Sequence, residues 1–313
     1  MTYTLIEQVG IMFLLSFIGY LMFKTRKISL EGNKLLGNIL IYLSLPCVII
    51  NGFLLECTYD RIISLVLSSV LSLLVLFLSV LISRIFFRKN AVETFSAAFS
   101  NPGFFGIPLI IAGLSEDAVF YIAPFIAFLN LFQWTYGVSL MKKGAPKEPE
   151  RTFASNIALH AGKLLKAPFM IAIIIGLFFF LSGITLPNPI GKCITYIASL
   201  NTPLAMFTIG IYLARTSLIK MFLKPRLYLV TLIRMIIIPL AAMNLLYFVP
   251  NMWLEMKLAI LIASACPVGS NVAVYAQLHD NNYTYAVETV IISTFFSILT
   301  IPAIVSMANN FWG

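Results

Sequence analysis

Apolar residues in this chain are gathered into long runs that are separated by shorter polar connections. Ten runs are each about 20 residues long, the length at which a helix crosses the hydrocarbon core of a bilayer. Their approximate limits are 4–23, 35–55, 62–87, 94–113, 118–141, 165–183, 190–214, 226–249, 256–278 and 283–308. The pattern therefore predicts an all-α membrane protein with ten spans, numbered one to ten in chain order.

One connection is much longer than the others and divides the ten spans into two groups. Residues 142–164 are polar and contain two prolines, and they separate five spans in 1–141 from five spans in 165–313. Glu7 and Gln8 interrupt the first apolar run. That run is therefore predicted to remain as a span rather than to act as a cleaved signal peptide.

Lysine and arginine are distributed unevenly between the two sides of the predicted bundle. The connections one–two, three–four, five–six and seven–eight hold 17 of the 21 Lys and Arg residues, against Arg61, Lys192 and Lys257 on the other side. Because basic residues accumulate on the cytoplasmic side, this pattern predicts a multi-pass protein of the cell membrane with a cytoplasmic linker at 142–164. Both termini are then predicted to be extracellular.

The two groups of spans are predicted to form an inverted repeat. Five is an odd number, so the second group must enter the bilayer in the opposite direction from the first. The stretch "LSLP" (43–46) in span two is similar to "LNTP" (200–203) in span seven, and prolines follow at Pro102 in span four and Pro267 in span nine. Inverted repeats of this kind are typical of secondary transporters.

Composition excludes several classes of protein. With 60% hydrophobic and 11% charged residues and a mean hydropathy of +0.96, the chain is unsuited to a soluble fold, and membrane lipid is its expected surroundings. The net charge of +9 is accounted for by the connections on one side, so no nucleic-acid partner is expected. The chain holds two histidines and neither a His-Glu-x-x-His nor a Gly-x-Ser-x-Gly motif, which argues against an enzyme.

The four cysteines show no spacing typical of metal ligands, so neither a metal nor a cofactor is expected. Cys47 and Cys266 fall in apolar runs and are interpreted as small packing residues. Cys57 and Cys193 both fall near the predicted outer face, which leaves a disulfide between them open.

Two spans carry residues that break a helix near their centres. "SNPGFFGIP" (100–108) interrupts span four and "SACPVGSN" (264–271) interrupts span nine. Gly103 and Gly106 are expected to supply the unusual dihedral angles of a break. The second part of each span would then begin in mid-membrane with free N–H groups, which suits a carboxylate. The predicted substrate-binding residues are Asn101, Pro102, Gly103, Gly106, Pro267, Gly269, Ser270 and Asn271.

Four further polar residues inside spans are secondary candidates, each with two readings left open. Asn130 and Gln133 share one face of span five and either line a transport path or bond neighbouring helices. Arg234 either forms a structural pair or acts on substrate or gating. Glu288 could carry a coupling proton or could be a solvated interfacial acid.

Two stretches resemble the auxin efflux carrier family, which includes plant PIN-type carriers and bacterial permeases for malate and malonate. They are "AAFSNPGFFGIPLI" (97–110) and "ASACPVGSNVAVYAQLHDNNYTYAVETVIISTFFSILTIP" (263–302). The resemblance implies ten helices in two inverted five-helix repeats, similar in fold to sodium/proton antiporters and bile acid:sodium symporters. Helices four and nine would cross, with Asn101, Pro102 and Pro267 at the crossing.

The resemblance further implies a scaffold from helices 1, 2, 6 and 7 and a transport domain from helices 3–5 and 8–10. The transport domain would move in an elevator-like manner, and plant relatives suggest a homodimer. Bile acid:sodium symporters place a sodium-binding glutamate in the ninth helix, whereas residues 258–278 of this chain contain no acid. Sodium symport of that kind is therefore not expected.

The expected function is secondary transport of a small organic anion, such as malate, malonate or an auxin-like acid. A proton or a sodium ion remains open as the coupling ion. Three alternatives remain: a bile acid:sodium symporter-like carrier, an anion channel of the same fold, and a sensor of that fold that binds a ligand without transporting it.

Overall fold

The computed structural model describes residues 2–142 and 165–312, and within these ranges the chain is helical and contains no strand. The predicted all-α class is thereby confirmed for the described residues. The helices are α1 (Thr2–Lys24), α2 (Leu30–Phe53), α3 (Tyr59–Phe87), α4 (Ala91–Ala98), α5 (Pro102–Gly113), α6 (Val119–Met141), α7 (Pro168–Ser182), α8 (Asn188–Arg215), α9 (Leu218–Phe222), α10 (Pro225–Tyr247), α11 (Leu254–Ala265), α12 (Asn271–Leu278) and α13 (Tyr283–Trp312).

Each predicted span coincides with one helix or with a pair of helices. Among the described residues, seven helices are long and apolar enough to cross a membrane, namely α1, α2, α3, α6, α8, α10 and α13. Predicted span six is the shorter apolar helix α7, while span four is α4 plus α5 and span nine is α11 plus α12. Of the predicted linker 142–164, residues 143–164 lie outside the described residues.

Side chains in the connections explain where several helices begin. Ser29 accepts a hydrogen bond from the backbone N–H of Gly32 at the start of α2, and Thr58 does the same for Arg61 at the start of α3. Asn90 accepts from both Val92 and Glu93 in the first turn of α4. These caps satisfy N–H groups that have no partner inside their own helix.

The innermost helices are the first parts of the two interrupted spans. Every residue of α4 is buried, and so is every residue of α11 from Met256 to Ala265. A helix that is buried on all sides has no polar face to present. By contrast, residues 188–199 of α8 include none that is buried. The two interruptions therefore lie inside the bundle rather than against its surroundings.

The two interrupted stretches pair with each other. Ser100 and Val268 form an antiparallel bridge, in which the N–H of Asn101 donates to Pro267 O at 3.0 Å and the N–H of Gly269 donates to Phe99 O at 2.9 Å. These bonds satisfy backbone groups that the missing helical turns leave open. Each broken segment thus supplies the hydrogen-bond partners of the other.

The predicted reason for the glycines in the first break was wrong. Gly106 has φ −73° and ψ −45°, which any residue adopts, and among the described glycines only Gly183 has a positive φ. A Cβ on Gly106 would lie 2.9 Å from Cys266 Sγ, and one on Gly269 would lie 2.8 Å from Ser100 O. The glycines in the breaks are needed because they are small, which lets the two broken segments approach each other. Their ability to adopt a positive φ is not required.

Four helices of the described chain contain a π-helical turn, at Leu40–Ser44, Pro102–Gly106, Gln133–Gly137 and Ile233–Ile237. In three of them a proline stands two residues after the turn, at positions 46, 108 and 239. A proline cannot donate to the carbonyl four residues before it, which lies in the turn, so the ladder widens there. Pro108 therefore widens α5 without ending it.

The backbones of α1 and the second part of α8 approach each other closely at two glycines. A Cβ on Gly210 would lie 1.9 Å from Ser16 O, and one on Gly19 would lie 2.5 Å from Phe207 O. Glycines at these two positions bring the backbones into direct contact, as small residues do in membrane helices. The contact fixes the N-terminal helix against a helix of the second half of the chain.

We expect Gly210→Ala to lower the stability of the protein, because the added methyl group would overlap the backbone of α1. The free energy of unfolding should fall by about 1–3 kcal/mol or more, the usual cost of overpacking. Thermal unfolding of the purified protein in detergent measures this. Gly10→Ala is the matched control, because nothing lies within 4 Å of a Cβ at Gly10; equal stability of the two variants would contradict the prediction.

Candidate functional site

A cavity of about 710 Å³ lies beside the paired breaks, between α2, α5, α6, α12 and the start of α7. Both broken segments contribute to its wall. Of the twelve residues that the sequence singled out, eight line this cavity: Asn101, Pro102, Gly103, Asn130, Gln133, Gly269, Ser270 and Asn271. The fold thus brings residues from both halves of the chain to one space.

The other four candidates do not line the cavity. Gly106 packs against Cys266, and the carbonyl of Pro267 accepts a bond from Asn101. Arg234 is buried behind the breaks, and Glu288 is buried near the start of α13. These residues border the paired breaks or support the helices around them.

Two polar side chains in the cavity wall are buried and make no hydrogen bond to the residues that the structure describes. Ser100 is 2% exposed, and its Oγ has no partner there. Asn101 is 7% exposed, precedes α5 and makes no side-chain capping bond. Unpaired buried polar groups are costly, so such groups facing a cavity mark a place where a ligand or water completes their bonding.

A side-chain amide pair closes one side of the cavity. Asn271 Nδ2 lies 2.8 Å from Gln133 Oε1, and Gln133 is buried within the π-turn of α6. Whichever of the two amides donates, the pair keeps N–H groups that are not used in this bond. Asn130 instead donates to Ile126 O in its own helix, at 2.8 Å.

Two helices begin at this cavity. α5 begins at Pro102, and its next residues, Gly103 and Phe104, carry N–H groups that have no partner within their own helix. α12 begins at Asn271. Each helix start carries about half a positive charge, so the two together favour an anion.

Arg234 meets the opposite ends of the other two half-helices. Its Nη1 donates to the carbonyls of Ala97 and Ala98 at the end of α4, each at 3.1 Å, and to Ser79 Oγ at 3.2 Å. Its Nη2 donates to the carbonyl of Ser264 near the end of α11. The guanidinium is 1% exposed, and no carboxylate among the described residues pairs with it.

The charges of the four helix ends and Arg234 balance in a simple way. A helix C-terminus carries about half a negative charge, so the ends of α4 and α11 together offset the single charge of Arg234. The starts of α5 and α12 then remain as an uncompensated positive pair. Among the two readings of Arg234, the contacts favour a structural pairing, with backbone carbonyls in place of a carboxylate.

A second set of charges holds α4, α10 and α13 together. The Glu93 carboxylate is buried and accepts from Arg226 Nε and Nη2 at 2.7 and 2.6 Å, and from Tyr285 Oη at 3.0 Å. Glu288 accepts from Lys224 Nζ at 2.7 and 2.6 Å. Glu288 is thus buried in an ion pair, and the solvated interfacial acid that the sequence left open is wrong.

The cavity extends toward the side of the bundle on which residues 142 and 165 lie. Its wall reaches Val138 near the end of α6, Lys166 just before α7 and Leu278 at the end of α12. On the same side, Asn281 Nδ2 donates to Met141 O at 2.7 Å. Lys166 is exposed, and it brings a positive charge to this end of the cavity.

Sequence reasoning missed the aromatic part of the wall. The aromatic lining residues are Tyr42, Phe104, Trp134, Phe169 and Tyr275. Two local signals were available: Phe104 lies within the stretch 100–108, and Trp134 follows Gln133 directly. The four cysteines are free, including Cys57 and Cys193, and no group of three or more potential metal ligands occurs among the described residues.

We expect Arg234→Met to destabilise the protein, because the carbonyls of Ala97, Ala98 and Ser264 would lose their donor. At about 1–3 kcal/mol for each buried group left unpaired, the free energy of unfolding should fall by at least about 3 kcal/mol. Unfolding of the purified protein in detergent measures this. Arg84→Met, at an exposed position in α3, is the control, and a loss no greater than that of the control would contradict the interpretation.

Comparison with known proteins places these features in a family. A family model described as membrane transport protein matches residues 4–305. A protein of Rhizobium meliloti (strain 1021), described as a candidate malonate transporter, is 25% identical over 308 residues, which cover 95% of this chain and 93% of that protein. The family and this relative are transporters and not enzymes. The chain therefore belongs to the auxin efflux carrier family of membrane transport proteins, as the two sequence stretches indicated.

Proposed function

We propose that this protein is a secondary transporter of a small organic anion with at least one carboxylate. The observation that carries the proposal is that the starts of α5 and α12 meet at one cavity, beside the unpartnered donors of Ser100 and Asn101. Hydrogen-bond donors and helix starts together form an anion site without a buried lysine. The carboxylate would accept from Asn101, from N–H groups of the amide pair and from the first turn of α5.

The magnitudes are adequate for such a site. An isolated charge at the centre of a bilayer costs about 3 kcal/mol on insertion scales. Two helix starts contribute up to ~2 kcal/mol each in buried geometry. Hydrogen bonds to a charged group add about 1.5–3 kcal/mol each. A carboxylate can therefore reach this depth with a favourable net free energy while remaining able to leave.

For the substrate, malonate is the first compound to test. The relative from Rhizobium meliloti carries that name, and the auxin efflux carrier family led us to expect malate, malonate or an auxin-like acid. A dicarboxylate would place one group at the helix starts, and the charge of Lys166 at one end of the cavity favours the approach of anions. The apolar side chains of the wall, Phe104 and Trp134 among them, would contact the carbon skeleton.

We further propose that all ten predicted spans cross the cell membrane as two inverted five-helix repeats, with the broken spans crossing in mid-membrane. The excess of basic residues puts the 142–164 side in the cytoplasm and both termini outside. A scaffold of spans 1, 2, 6 and 7 would support a transport domain of spans 3–5 and 8–10. Because the cavity lining extends to the side of residues 142 and 165, we assign the structure to an inward-facing state of an elevator cycle.

Asn101→Ala should weaken malonate binding by about 10- to 100-fold, because one charge-assisted hydrogen bond is worth about 1.5–3 kcal/mol. Isothermal titration of purified protein measures the dissociation constant. Asn244→Ala is the matched control, since Asn244 is exposed on α10 and donates only to Leu240 O in its own helix. An unchanged affinity in Asn101→Ala would remove this residue from the site.

Reconstituted liposomes separate a carrier from the alternatives. A carrier shows saturable uptake of labelled malonate that rises when unlabelled malonate is loaded inside, because the empty carrier returns more slowly than the loaded one. A channel shows no such stimulation, and a sensor binds without flux. Uptake without saturation, or binding without uptake, would therefore contradict the proposal.

A further inference from the structure

A second, smaller cavity lies further along α5. It has a volume of about 200 Å³ and lies between α2, α5, the start of α6 and the middle of α8. The main cavity is lined by Pro102, Gly103 and Phe104, whereas the second is lined by Ile107 and Ile111, one to two turns later in the same helix. α5 therefore contributes to the walls of both cavities.

Asn201 is a buried residue in the lining of this second cavity. It is 2% exposed, and its Nδ2 donates to Gly103 O at 3.2 Å. A carbonyl can only accept, so this bond identifies the amide nitrogen as its donor and leaves Oδ1 outside the bond. That oxygen is buried and has no hydrogen-bond partner in the described parts of the chain, and Asn201 lines the cavity.

Two of the three hydroxyl groups that line the second cavity donate their hydrogens to helix carbonyls. Thr195 Oγ1 donates to Gly191 O at 3.2 Å, and Ser199 Oγ donates to Tyr196 O at 2.7 Å. A hydroxyl carries one hydrogen and two lone pairs, so these groups can now only accept. Glu116, which is exposed and belongs to the same lining, adds a carboxylate that is also an acceptor.

Acceptor oxygens predominate among the polar groups that line the second cavity. Asn201, Thr195, Ser199 and Glu116 offer acceptors, while the Thr202 hydroxyl and the Asn51 amide each carry both a donor and an acceptor. An unsatisfied buried acceptor requires a donor or a cation. One carboxylate with several neutral oxygens matches the ligands that hard cations prefer and carries a single negative charge.

We infer that the second cavity is a binding site for a small monovalent cation of the Na⁺ class, with Asn201 as its innermost ligand. Asn201 also donates to the carbonyl of Gly103, and Gly103 lines the main cavity. One hydrogen-bonded pair therefore borders both cavities. The cation would therefore strengthen carboxylate binding, a consequence that rests on the proposed transport function. The site itself stands on the described contacts alone.

The first test uses the protein without any carboxylate. Na⁺ should raise the midpoint of thermal unfolding in detergent by about 2–4 °C at roughly five times its dissociation constant, relative to choline at equal ionic strength. Asn201→Leu should abolish this rise. Because that buried change can also disturb folding, Glu116→Gln at the exposed rim is the second variant, and it should raise the half-saturating Na⁺ concentration about tenfold. Glu56→Gln, at another exposed acid near the start of α3, is the control and should behave as the wild type.

Equal midpoints in Na⁺ and choline, or a Na⁺ effect that survives both variants, would overturn the site.

The second test measures the dissociation constant of malonate in Na⁺ and in choline. A lower value in Na⁺ that disappears in Glu116→Gln supports the link between the sites, and equal values overturn it. If no malonate binds in either salt, the proposed function fails while the Na⁺ result of the first test still decides the cation site.

Discussion

The rest of the structure depends on how the backbone is satisfied where two helices stop inside the bundle. Phe99–Asn101 and Pro267–Gly269 exchange hydrogen bonds, so the missing turns of one segment are completed by the other. The carbonyl ends of α4 and α11 are then bound by the guanidinium of Arg234. Only the N–H ends of α5 and α12 are left without a resident partner of opposite charge, and they face the main cavity. The proposed anion binding would follow from which two of the four helix ends are neutralised by Arg234.

The two cavities differ in the kind of polar group that remains free in each. Hydroxyl, amide and backbone N–H groups line the main cavity, whereas two hydroxyls of the second cavity, those of Thr195 and Ser199, have their hydrogens committed to helix carbonyls and can only accept. Under the proposed function, neither site would hold its ligand permanently, as a transporter requires.

Local sequence was sufficient for the elements and for part of the site. Proline inside an apolar run is a strong local signal, so the breaks near Pro102 and Pro267 and the neighbouring Asn101 could be recognised. The partners of Arg234 could not, because Ala97 lies 137 residues away in the chain and offers only a backbone carbonyl. The same holds for Asn201, which is separated from Gly103 by 98 residues. The close contacts of Gly106 and Gly269 depend on which backbone lies opposite, and no local pattern carries that information.

The contacts of Arg234 also bear on how the chain enters the bilayer. The ribosome makes α4 first, then Arg234, and only afterwards Ser264, which accepts from the second nitrogen of the guanidinium. While α10 is emerging, three of the four final acceptors of this side chain, Ser79 Oγ and the carbonyls of Ala97 and Ala98, have already been synthesised. We therefore expect α10 to associate with α3 and α4 before α11 has been synthesised. An error in the order of helix assembly would leave the arginine without these acceptors in lipid.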